Sequence, residues 1–142
     1  MSEKIVIAGR EISPEHFIDN KRVSSQDTFA VRSAIDESVL GHVARGTELE
    51  INLAVASAKK AFPAWAALGP QGRLPYLEKL AHIIETRVEG LAIVETTNNG
   101  SLLEASRLRV MKRGAHNIHH FAELALHLGK TWDTEPAKNA VN

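Results

Sequence analysis

Five side chains late in the sequence have the types and spacing that chemistry could use: His116, His119, His120, Glu123 and His127. On a helix, His116, His120, Glu123 and His127 fall at i, i+4, i+7 and i+11 along one face, and imidazole nitrogens in such a column can hold zinc or copper. The simpler alternative is a solvated helix surface, where histidines are well tolerated, and no second segment offers matching ligands. What the sequence lacks is more decisive. There is no cysteine in 142 residues, so neither a thiolate nucleophile nor a disulfide framework can form. Among nine glycines none makes a G-x-G pair, and Gly69 and Gly72 lie between helical stretches instead of after a strand. No phosphate-cradling loop follows from that arrangement. The G-x-S-x-G, H-E-x-x-H and P-loop patterns are also missing, which removes hydrolase, zincin and NTPase readings at the level of motifs. On this basis no residue of the chain is assigned as catalytic and none as cofactor-binding.

The composition is that of an ordinary soluble globular protein, 44% hydrophobic and 24% charged. Seventeen basic and seventeen acidic residues balance, so no net field gathers nucleic acid or an anionic membrane. The apolar run Ile5-Val6-Ile7-Ala8 is too short for a secretory signal, and no segment approaches the roughly 20 apolar residues that cross a bilayer. Partners of both kinds are therefore not expected, and the cytoplasm is the expected location.

Positioning elements come from the periodicity. Phe17-Ile18 and Arg22-Val23 flank Asp19-Asn20, a pair suited to the positive φ angles of a tight hairpin turn. A second hairpin is read from Thr28–Val31 and Val39–Val43, with Asp36-Glu37-Ser38 in its turn. Thr47 and Glu50 then form a capping box, and Ile51, Val55, Ala58 and Phe62 mark a first helix ending near Pro63. A second apolar stripe runs through Leu74, Leu77, Leu80, Ala81, Ile84, Val88 and Leu91, bent near Gly90, with Pro75 in its first turn. Asn99-Gly100 stops it. Ser101 and Glu104 restart a helix through another capping box, and Ala105, Leu108, Met111, Ala115, Ile118, Ala122 and Ala125 carry it towards Gly129, a rod of roughly 40 Å. Gly114 inside that rod predicts a close backbone contact. Trp65 and Trp132 are expected to plug gaps where helices leave the core.

Taken in order, Phe17–Val23, Thr28-Phe29, Val39-Leu40, Ala56–Trp65, Arg73, Leu80-Ala81, Ile83-Ile84 and Glu95–Gly100 resemble the N-terminal region of the aldehyde dehydrogenase superfamily. No single piece is specific, but their order and spacing are, and the likeness runs from about residue 16 onwards. The resemblance implies two Rossmann-type domains and a small oligomerisation sheet in the complete enzyme. It implies a cysteine thiolate that attacks the aldehyde, hydride transfer to NAD or NADP, a glutamate that activates water, and an asparagine and backbone N–H that hold the oxyanion. Those groups all belong to regions beyond this stretch. The cofactor is accordingly none in this chain, and NAD or NADP in the full-length family.

One family site falls partly within the sequence. Relatives hold a monovalent cation with backbone carbonyls that match Val31 and Arg32 and an aspartate that matches Asn98. The amide keeps an oxygen ligand but loses the charge that offsets dehydration of the ion. Ala34 and Glu37 also stand where relatives commonly place Pro and Gly, and Ser101 where a Lys is usual.

The resulting expectation is an α+β architecture of N-terminal β-hairpins followed by three main helices. Residues 1–15 are an N-terminal extension, 16–45 a β-hairpin segment, 46–130 a helical segment, and 131–142 a polar linker towards a missing cofactor-binding core. The function expected is that of the N-terminal part of an aldehyde dehydrogenase, inactive by itself and either self-associating or covered by the remainder of the enzyme. The alternatives are a standalone non-catalytic interaction module derived from such an enzyme, and a small His-rich metal-binding helical protein.

Overall fold

The computed structural model describes residues 4–128, together with the backbone of strands at 131–135 and 138–141. Three hairpins open the chain. β1 (Ile5–Ile7) pairs antiparallel with β2 (Arg10–Ile12), β3 (His16–Ile18) with β4 (Lys21–Val23), and β5 (Thr28–Arg32) with β6 (Val39–Ala44). The expected Asp19-Asn20 turn is present, with φ of 53° and 59° at the two residues, the left-handed pair that matches strand twist. Within the stretch read as an extension, residues 5–12 form the β1–β2 hairpin, turned by Ala8 and Gly9 at φ of 48° and 76°. Its inward residues Ile5 and Ile7 are buried, and β1 packs on β6 and on the helix over Val88–Asn99.

Helix α1 (Glu48–Ala67) starts at the predicted capping box. The Thr47 N–H donates to Glu50 Oε2 at 2.7 Å and the Leu49 N–H donates to Thr47 Oγ1 at 3.2 Å. It does not end near Pro63 but passes through it for another turn. Its last carbonyls are then met from α2 (Gly69–Thr86): Arg73 donates from Nε to Trp65 O at 3.1 Å and from Nη2 to Ala66 O at 3.2 Å. That contact satisfies acceptors a helix end leaves orphaned. Since α2 begins at Gly69, with Pro70 in its first turn, Pro75 lies inside the helix and not at its start.

The second predicted helix is two. The backbone leaves α-geometry at Arg87, with φ −114° and ψ 9°, three residues ahead of the expected bend, and α3 (Val88–Asn99) follows. Gly100 closes α3 in the left-handed conformation at φ 75°, its N–H donating to Thr96 O at 2.8 Å. Only Gly accepts that geometry without strain.

The long rod is the largest departure from expectation. It comprises a single turn α4 (Leu103–Ala105), a seven-residue π-helical segment (Ser106–Lys112) and α5 (Arg113–His127). The Ser101–Glu104 capping box does not form. Leu102 occupies the cap without a side-chain bond, and Ser101 Oγ lies 2.7 Å from Ser106 Oγ. In the π segment a turn takes up more residues than in an α-helix, so side chains five apart share a face. Ser106 and Met111 have that spacing, and Ser106 is wholly buried while Leu108, expected inside, is 50% exposed. From Ala115 onwards the predicted stripe holds, with Ala115 and Ala122 buried. Gly114 has no close neighbour where a Cβ would project, against expectation.

The core is built from small side chains. Ala81 on α2, Ala92 on α3, and Ala115 and Ala122 on α5 are buried, and α2 lies along α5. Where an unpatterned linker was expected, β7 (Thr131–Glu135) pairs antiparallel with β8 (Lys138–Val141). The side chain of Trp132 lies outside the described residues. Among the described residues no helix is long and apolar enough to cross a membrane.

Candidate functional site

Strands β5 and β6 slip register beside Val31. Val31 pairs with Gly41 and Arg32 with Val39, so Leu40 is an extra residue opposite them and the ladder is interrupted there. Gly41 is needed at this point because a Cβ on it would collide with Ile5 Cγ1. Behind the bulge, β1, β2, β5, β6 and α3 enclose a cavity of about 190 Å³. Val31 and Asn98 both line it, among aliphatic side chains such as Ile7 and Val94. Two of the three residues read from the sequence as cation ligands are thereby brought together. The third is not: the Arg32 side chain lies away from the cavity, with Nη1 donating to Glu37 O at 3.0 Å. For Arg32 the expected ligand is the backbone carbonyl, which sits at the bulge.

The cavity also contains a group that the sequence reading missed. Glu95 lines it one helical turn before Asn98 and brings a carboxylate that Asn98 lacks. One of its oxygens accepts from Asn99 Nδ2 at 2.8 Å. The signal was the i, i+3 spacing of Glu95 and Asn98 on one helix. The lining thus offers amide and carboxylate oxygens and no nucleophile.

The turn beside this cavity carries the two substitutions noted in the sequence. Glu37 sits at φ 59°, so the position where relatives commonly have Gly is left-handed here and holds a residue that pays for it. Hydrogen bonds offset the cost: Ser33 N donates to Ser38 O at 2.8 Å and Glu37 N to Ser33 O at 2.9 Å. Asp36 Oδ1 accepts from Ser38 N and Ser38 Oγ at 3.2 and 2.7 Å, and these bonds hold the carboxyl below its ordinary value. At the other rim, Ala34 Cβ lies 3.2 Å from where a Cβ on Gly100 would stand.

Two further polar groups tie α3 to the π segment. Arg107 forks onto Glu89, with Nε and Nη2 at 2.8 and 2.7 Å from its two oxygens, and reaches Glu104 at 3.4 Å. The Glu89 carboxyl is held below its usual range by that guanidinium, and Arg107 is pushed further up by the same contact. The buried Ser106 hydroxyl meets Thr96 Oγ1 at 3.0 Å and Ser101 Oγ. Its partners are hydroxyls, which cannot serve as a general base, so the cluster locks structure and activates nothing.

The histidine column does not become a metal site. His116 and His120 stack at 6.0 Å between centroids, whereas Glu123 turns to His119 at 3.5 Å. Among the described residues no three His, Asp or Glu side chains stand close enough to hold a metal ion. All of these side chains face solvent.

Trp65 does not plug a gap where the helix leaves the core: it lies in the last turn of α1, is 38% exposed, and stands edge-on to Tyr76 at 5.8 Å and beneath the Arg73 guanidinium.

Comparison with known proteins places these hairpins and helices in a family. Residues 22–141 match the model of the aldehyde dehydrogenase family. The 5-carboxymethyl-2-hydroxymuconate semialdehyde dehydrogenase of Escherichia coli is 36% identical over 121 residues, which are 84% of this chain and 26% of that enzyme. The 2-aminomuconic semialdehyde dehydrogenase of Bos taurus is 32% identical over 113 residues, 80% of this chain and 23% of its own length. Among solved structures, γ-glutamyl-γ-aminobutyraldehyde dehydrogenase from Burkholderia cenocepacia superposes with a TM-score of 0.82 at 30% identity, over 92% of this chain and 27% of that one. PnpE of Pseudomonas, in complex with nicotinamide adenine dinucleotide, gives 0.77 at 34% identity over 86% of this chain and 26% of that one. The chain spans about a quarter of the length of the relatives it matches. With its hairpins, helices and sequence all accounted for in this way, the chain belongs to the aldehyde dehydrogenase family.

Proposed function

We propose that this chain is the N-terminal part of an NAD- or NADP-dependent aldehyde dehydrogenase, inert on its own and competent only with the remainder of that enzyme. One observation carries the reading: a stretch matching the family over residues 22–141 contains no cysteine to start the reaction and spans a quarter of its relatives. Its contribution is architectural. The hairpins and α2, α3 and α5 form a wall on which a cofactor domain rests, and the remainder supplies thiolate, dinucleotide site and water-activating base. The cytosol is its working compartment, consistent with the absence of cysteine.

The cavity behind the β5–β6 bulge is the place where the assembled enzyme would hold a monovalent cation. Val31 and Arg32 offer carbonyls, Asn98 an amide oxygen and Glu95 the only carboxylate of the lining.

Fusing the 142 residues in place of the matched quarter of the Escherichia coli relative tests the reading. The fusion should reduce NAD in the presence of that enzyme's semialdehyde, and the isolated chain should not. Turnover by the isolated chain, free of host enzyme, would overturn it, as would a folded fusion with no activity.

A further inference from the structure

Of the twenty residues of α1, Glu50 alone is buried, and the apolar stripe that marks the helix in the sequence faces outward. Ile51 is 60%, Val55 47% and Phe62 66% exposed. The opposite face, although Leu53 on it is itself 46% exposed, is the one turned to the β3–β4 hairpin. Leu53, Ala56, Ser57 and Lys60 line a recess against the β3–β4 hairpin, and two residues of helix separate that face from the stripe by about 200°. The hairpin therefore does not cover the stripe, and α1 otherwise packs on α2 through its C-terminal end. Helices in proteins draw most of their stability from packing an amphipathic face, and an uncovered apolar face of this kind marks a binding surface.

A second, separate apolar surface narrows the choice of occupant. Phe121 and Leu124 on α5 and Leu128 just beyond it fall at i, i+3 and i+7 on one face and are 61%, 39% and 50% exposed, on an element that makes no substantial packing with α1. A twofold pair of copies buries one self-complementary patch on each and would leave the other patch wet. A polypeptide of roughly three times this length, the part of each relative that the chain does not span, can cover both.

Building on the family assignment proposed above, we infer that the Ile51–Val55–Phe62 stripe of α1 is the docking surface for the downstream part of an aldehyde dehydrogenase, and that this part binds even as a separate polypeptide. The test is co-expression of the intact 142-residue chain with the Escherichia coli relative deleted of its matched quarter. A soluble one-to-one complex is expected. Replacing Ile51, Val55 and Phe62 together by Ser should lower its recovery at least about tenfold while circular dichroism shows the helices intact. Undiminished recovery with the triple variant would overturn the assignment of the surface. Absence of any complex with the unaltered chain would overturn docking in trans, while an active covalent fusion would leave the family assignment standing. A homodimer that the triple variant breaks, with no mixed complex, would hand the stripe to a second copy and likewise overturn the proposal.

Discussion

Helices α1 and α5 each carry an apolar stripe, and the two stripes meet opposite fates. On α5 the stripe centres on Ala115 and Ala122, which are buried where α5 lies along α2; on α1 its large members are Ile, Val and Phe that stand in water. Small side chains let two backbones approach within one chain, and the large ones on α1 lie where nothing among the described residues covers them. Periodicity thus reports that a face is meant to be covered and not by what.

The comparison breaks most visibly under enlargement of an alanine. Ala115→Leu, at a site with no exposed surface, should cost about 2–3 kcal/mol in urea unfolding, whereas Ala58→Leu on the α1 stripe should change stability by less than about 0.5 kcal/mol. Equal effects would mean that the two helices are packed alike. Next in size, Ser106→Ala should cost about 1–2 kcal/mol, because it strands the Thr96 and Ser101 hydroxyls in a buried place. With so little packing of its own, α1 should depend on its cap: Thr47→Ala is expected to cost about 1 kcal/mol and to speed amide exchange in the first turns of α1 before any in α5.

The smallest effect is in pH. Glu89 is held below its ordinary value of 4.5 by Arg107, so the unfolded chain takes up its proton first. The stability from this pair is complete above 4.5 and is lost as pH falls below that through the folded value. Glu50, depressed by its bonds to Thr47, and Asp36, depressed by Ser38, act in the same direction. Glu89→Gln should flatten the acid limb of the stability curve and leave its neutral plateau nearly parallel to that of the parent. The exposed setting of Glu89 makes this a small and salt-sensitive term.

How far the sequence could be read follows from what each element depends on. The Asp19-Asn20 turn, the Thr47 capping box and the Gly100 stop rest on local chemistry and were visible. The Ala8-Gly9 turn was missed because alanine seldom enters the left-handed region, and only the burial of Ile5 and Ile7 against β6 and α3 repays it. Pro63 misled in the other direction, since the Arg73 guanidinium meets the carbonyls at the end of α1. Of the candidate site, Val31 and Asn98, named together in the sequence, line one cavity in the structure. Glu95 was overlooked because its role depends on which way α3 faces, and the histidine column failed because Glu123 turns to His119.

The π segment has a consequence for length variation. Ser106, wholly buried, and Met111, half-buried, are five positions apart. Removing one residue between them would set them four apart, the interval at which an ordinary helix also brings two side chains to one side. A deletion that would rotate every later residue out of place elsewhere in the rod can be absorbed here, leaving α4 to α5 as one unbroken α-helix with its inner row intact.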